Sequence, residues 1–98
     1  MQEQGQDPVV ISYREQISDA DQLLLDTLNH RLGLVVGLHA YKAEQGYPMI
    51  DAVREKAMAA HLAETNTGPL SADGVEELTA WILGLTKREL ERQRRSSH

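Results

Sequence analysis

Cysteine is absent from all 98 residues, which excludes disulfides, zinc–thiolate sites and thiol nucleophiles. No run approaches the ~20 apolar residues that a helix needs to span a bilayer, so no membrane partner is expected. The opening MQEQGQDP has neither the basic nor the apolar region of a secretory leader, so a cytoplasmic location is expected. Basic charge is also scarce. Ten Lys and Arg face fifteen Asp and Glu, for a net charge of −5, and the dense basic run is the terminal RQRRSSH. That balance argues against a nucleic-acid partner. Sustained strand alternation is missing too, which leaves helical periodicity as the organising signal.

What remains suits one globular domain with a modest core: 41% hydrophobic and 26% charged residues in 98. Three prolines, at 8, 48 and 69, divide the chain into three helical patterns. In the first, Ser12 and Glu15 form the capping-box pattern S-x-x-E, and the pattern runs to about Gln45, where Gly46 can supply a left-handed end. Its apolar positions 17, 20, 24, 28, 32, 35 and 38 recur at three and four. Gly33 and Gly37 inside it can admit a close partner helix or ligand. The second pattern starts at Asp51 as N-cap and fades near Glu64. The third is capped by Ser71 and carries Val75, Leu78, Ile82 and Leu85 at helical spacing. The expectation is an all-α chain with one long and two shorter helices. Residues 1–10 are expected to be a flexible N-terminus, 11–91 the helical domain and 92–98 a flexible tail.

A first helix of about 32 residues would be ~48 Å long, whereas a compact domain of this size has a radius of gyration of ~13 Å. Two shorter helices from the same chain cannot cover it. An intertwined homodimer resolves the mismatch, and a monomer kinked at Gly33 or Gly37 is the simpler alternative.

The polar residues on these segments point to chemistry. Arg31 and Lys42 are eleven residues apart, so they fall within roughly 20° of each other on one helix face. Leu24, Leu28, Val35 and Leu38 share that face and should be buried. Cations on a core-facing stripe are costly unless an anion meets them. Arg14 is seventeen residues before Arg31 and about 100° away around the helix, so it serves another surface. In a dimer it can reach the partner's site. Asp51 and Glu55 share a face of the second helix, with Arg54 beside them. Taken singly, each is an ordinary surface charge whose ion pairs are worth little. Taken together, they describe a pocket for a small anion.

The segments YREQISDADQLLLDTLNHR, YK, GYPMIDAVREK and GPLSADGVEEL, in this order, resemble the all-helical (AroQ-type) chorismate mutases over about residues 11–90. The resemblance implies an intertwined homodimer of three-helix chains with two sites shared between subunits. It implies that Arg14 reaches a substrate carboxylate in the neighbouring site and that Arg31 holds the second carboxylate. Lys42 would donate to the ether oxygen. Asp51 and Glu55 would orient the ring hydroxyl, with Arg54 supporting the carboxylate side. Leu38 and Leu83 would be apolar walls. Lys42, Arg31 and Glu55 are thereby the catalytic candidates.

The reaction implied is the rearrangement of chorismate to prephenate through a cyclic transition state, with no covalent intermediate. Selecting the compact conformer and stabilising charge on the ether oxygen are tasks for fixed cations, so no metal or cofactor is expected. His30, His39 and His61 are expected on helix surfaces and His98 in the tail. One departure stands out. The family usually places Gln or Glu on the last helix as a second donor to the ether oxygen, one turn after a small residue. Here these positions fall on Leu90 and Thr86. Either the register slips by one and brings in Glu89 or Glu91, useful only when protonated, or Lys42 acts alone.

Two other readings keep the fold. One acts on 4-amino-4-deoxychorismate or eliminates pyruvate from isochorismate, and the D-x-V-R-E form at 51–55 speaks for the ordinary mutase instead. The other is a non-catalytic helical dimer, which Leu90 favours. The resemblance also admits an activating shikimate-pathway enzyme as a partner.

Overall fold

The computed structural model describes residues 4–96. A short 3-10 turn at Gln4–Gln6 leads into α1 (Pro8–Gln45), followed by α2 (Ala52–Thr65) and α3 (Ala72–Ser96), with no strand among the described residues. The all-α reading with one long and two shorter helices therefore holds. None of the helices among the described residues is long and apolar enough to cross a membrane.

Helix ends follow from local chemistry. Asp7 caps α1, its Oδ1 accepting the Val9 N–H at 2.8 Å, and Pro8 occupies the first helical position, where its missing N–H costs nothing. The helix thus starts four residues before the expected Ser12. That side chain is not a cap: its Oγ accepts from Gln16 Nε2 within the helix. At the other end Gly46 adopts φ +72°. Its N–H donates to the Ala43 carbonyl at 3.3 Å and that of Tyr47 to the Lys42 carbonyl at 2.9 Å, the paired bonds of a Schellman end. Asp51 caps α2 by accepting the Arg54 N–H at 3.0 Å, and Ser71 caps α3 by accepting the Gly74 N–H at 3.0 Å. Both caps stand where the sequence places them.

Helix α3 continues to Ser96, so residues 92–96 are helical where a tail is expected. The reason is side-chain spacing: Arg92 pairs with Glu89, and Arg94 and Arg95 pair with Glu91, three or four residues apart on the helix. The expected flexible ends at 1–3 and 97–98, His98 included, lie outside the described residues.

The chain divides into two compact units, one ending at Leu38 and one beginning at His39. In the first, the helix assignment is unbroken through Gly33 and Gly37. The apolar face expected to be buried is not covered: Leu24 is 61% and Leu38 46% exposed, while Leu28 and Val35 are half-buried. This unit is a single helical segment, and one helix cannot bury its own apolar stripe. In the second unit α2 packs on α3, with Val75 and Thr79 buried. The Thr79 hydroxyl donates to the Val75 carbonyl at 2.8 Å, which satisfies a polar group inside the core. His30 and His61 are exposed and His39 is half-buried.

Candidate active site

Lys42 lies in the last turn of α1, where the unpaired helix carbonyls favour a cation. The left-handed turn at Gly46 folds the following residues back, and Lys42 Nζ donates to the Met49 carbonyl at 3.5 Å. Edge-to-face stacking of Tyr41 and Tyr47, with ring centroids 6.4 Å apart, spans the same turn. Lys42 is half-buried. A short turn of chain therefore carries the cation to the segment that opens α2.

The start of α2 supplies the acids. The Asp51 carboxylate is engaged as the helix cap, and the Glu55 N–H donates to the Asp51 carbonyl at 3.1 Å. Glu55 sits in the first turn, where the positive end of the helix favours an acid. It is half-buried, and Arg54 beside it is exposed. The Glu55 Oε1 accepts from Lys87 Nζ of α3 at 3.1 Å.

Helix α3 supplies the remaining candidates. Leu83, Thr86 and Leu90 are half-buried, and the Thr86 hydroxyl donates to the Ile82 carbonyl at 2.7 Å. Both acids flanking Leu90 are paired within α3. Glu89 is paired with Arg92, and Glu91 accepts from Arg94 at 2.7 Å. That hydrogen bond and the Arg94 charge, with a smaller contribution from Arg95, hold the Glu91 carboxyl below its ordinary value, against slight desolvation.

The first unit holds the other three candidates: Arg14 is exposed, Arg31 half-buried and Leu38 exposed. The second unit holds Lys42, Asp51, Arg54, Glu55, Leu83, Thr86 and Leu90; the contacts among its parts are Lys42 with the Met49 carbonyl and Glu55 with Lys87 across the α2–α3 packing. Lys87, which the sequence reading did not single out, is the α3 residue that contacts Glu55. A signal for it was available, since position 87 lies four after Leu83 and three before Leu90, on the stripe already assigned to the pocket.

The described contacts set a lysine beside the segment that opens α2 and a second lysine on the first-turn acid of α2. Comparison with known proteins identifies the family. The chorismate mutase type II family matches residues 13–91. Two solved structures of a chorismate mutase from Thermus thermophilus are similar. Form II is 27% identical with a TM-score of 0.79, covering 86% of this chain and 96% of that one. Form I is 26% identical with a TM-score of 0.76, covering 79% and 96%. No curated protein sequence matches significantly. With residues 13–91 of its 98 matched, the chain belongs to the chorismate mutase type II family.

Proposed function

We propose that the chain rearranges chorismate to prephenate, in the cytoplasm, as an intertwined homodimer whose two sites each draw residues from both copies. The observation that carries this reading is the family match over residues 13–91, a span that contains Arg14, Arg31, Lys42, Asp51, Arg54 and Glu55.

The reaction breaks the ether carbon–oxygen bond and forms a carbon–carbon bond within one molecule, with no proton gained or lost. Its barrier has two parts that side chains can lower. The compact conformer is favoured when both carboxylates are held, a task for Arg31 and for Arg14 of the second copy, whose planar guanidinium groups accept carboxylates in bidentate fashion. Charge that develops on the ether oxygen is stabilised by Lys42, which is fixed before the reaction begins. Asp51 and Glu55 orient the ring hydroxyl, Arg54 supports the carboxylate side, and Leu38, Leu83, Thr86 and Leu90 line the pocket.

The dimer is supported by the uncovered apolar surface of α1. Ile17, Leu23, Leu24, Leu25, Leu34 and Leu38 are all exposed in the single chain. Apolar residues at this density call for cover, and a second copy of the same helix supplies a matching stripe. A second reading, a non-catalytic helical dimer, is favoured by Leu90 at the usual Gln position together with the engagement of Glu91 by Arg94 and Arg95.

Incubating the purified chain with chorismate while following loss of its ultraviolet absorbance, with product identification, separates the two. Prephenate is the expected product. Its absence at every pH, even at high protein concentration, would sink the mutase reading for this chain.

A further inference from the structure

We infer that Lys87 is a positioning residue of the active site, holding the Glu55 carboxylate in the orientation in which it accepts from the substrate's ring hydroxyl. The inference rests on the mutase reading of Glu55 and adds to it a residue from α3.

The contact is specific. Lys87 Nζ donates to Glu55 Oε1 at 3.1 Å and joins α3 to α2 across 32 residues of sequence. By contrast, the Arg92–Glu89, Arg94–Glu91 and Arg95–Glu91 pairs all lie within α3 and support that helix alone. Lys87 lies four residues after Leu83 and three before Leu90 on α3, and its ammonium reaches α2 at Glu55. The side chains are 59% exposed for Lys87 and 27% for Glu55. An ion pair this open to water adds little to folding stability.

Its effect on a bound dicarboxylate is larger. A glutamate has three rotatable side-chain bonds, and an ammonium beside one oxygen biases them toward one orientation before substrate arrives. The other oxygen is left to accept the hydroxyl. The ammonium also offsets the negative charge of Glu55, which otherwise faces a substrate bearing two carboxylates. Both effects act on substrate capture, and neither touches the ether oxygen.

The test is steady-state kinetics with chorismate on the full chain, comparing wild type with Lys87→Met, Lys87→Arg, Glu55→Gln and the Lys87→Met/Glu55→Gln double variant. Thermal melting followed by circular dichroism accompanies each. The expected result is a KM raised about tenfold in Lys87→Met with kcat within about threefold, the size of one charge-assisted hydrogen bond. Lys87→Arg restores KM to within about threefold, and in the Glu55→Gln background Lys87→Met changes nothing further. An unchanged KM in Lys87→Met, or an equal rise with and without Glu55, overturns the inference. If Lys87→Met fails to fold, Lys87→Gln takes its place under the same criteria. Wild-type turnover with an inert Lys87→Met refutes this inference alone, whereas a wild type that forms no prephenate removes the mutase reading and the inference with it.

Discussion

On the proposed mutase reading, Lys42 carries the heaviest chemical demand, because Leu90, at the position where the resemblance implies a second donor, cannot donate a hydrogen bond. The Schellman turn at Gly46 and the 3.5 Å contact with the Met49 carbonyl hold the lysine against the segment that leads into α2. Lys42→Ala is therefore expected to lower kcat by about 10²–10³-fold, the usual cost of removing one preorganised donor from a developing oxyanion. A rate within a few-fold of wild type would place the site elsewhere. Leu90→Gln should act in the opposite direction. A new donor without a supporting shell recovers only part of that effect, so kcat is expected to rise about tenfold. An unchanged or lower kcat would show that position 90 does not face the ether oxygen.

At the scale of elements, the three helices are legible because their signals are local. Asp51 and Ser71 are caps wherever a helix follows them, and Gly46 is the residue that tolerates a left-handed end. The start of α1 differs from its expected place because two signals compete there. The S-x-x-E pattern at Ser12 is as good a cap as Asp7–Pro8 on paper, and nothing local says that the helix already exists before it. The end of α3 differs because the charge of an arginine run suggests a solvated tail, whereas its spacing to Glu89 and Glu91 extends the helix. Among site residues, Asp51, Arg54 and Glu55 follow from the start of α2, but the Lys87–Glu55 contact joins positions 32 apart, and such a pairing is set by the packing of α2 on α3. The α3 pairing also has a pH consequence. Glu91 has a folded-state pKa below its ordinary value of 4.5, so its contribution to stability is full above the unfolded value and is lost as pH falls through the folded one. Carboxyl NMR titration should give a midpoint for Glu91 below 4.5 that rises toward it in Arg94→Ala. A wild-type midpoint at or above 4.5 would show that the pair does not form in solution.

For the whole molecule, the first unit is what demands a partner. Its apolar residues are at helical spacing, as the sequence foretells, yet they are uncovered in the single chain. Arg14 is exposed in that same unit, on a different face of the helix from Arg31. In the proposed homodimer, the copy that covers this surface also supplies Arg14 to the site. The central claim is that two copies build each mutase site, Arg14 from one and Arg31 from the other. The measurement that tests it most directly is activity on mixing two inactive variants, Arg14→Ala and Arg31→Ala, after subunit exchange. Each heterodimer then holds one intact site and one lacking both arginines. Random exchange makes about half of the dimers heterodimers, so recovery to about a quarter of wild-type prephenate formation is expected. No recovery in verified heterodimers would contradict the shared site.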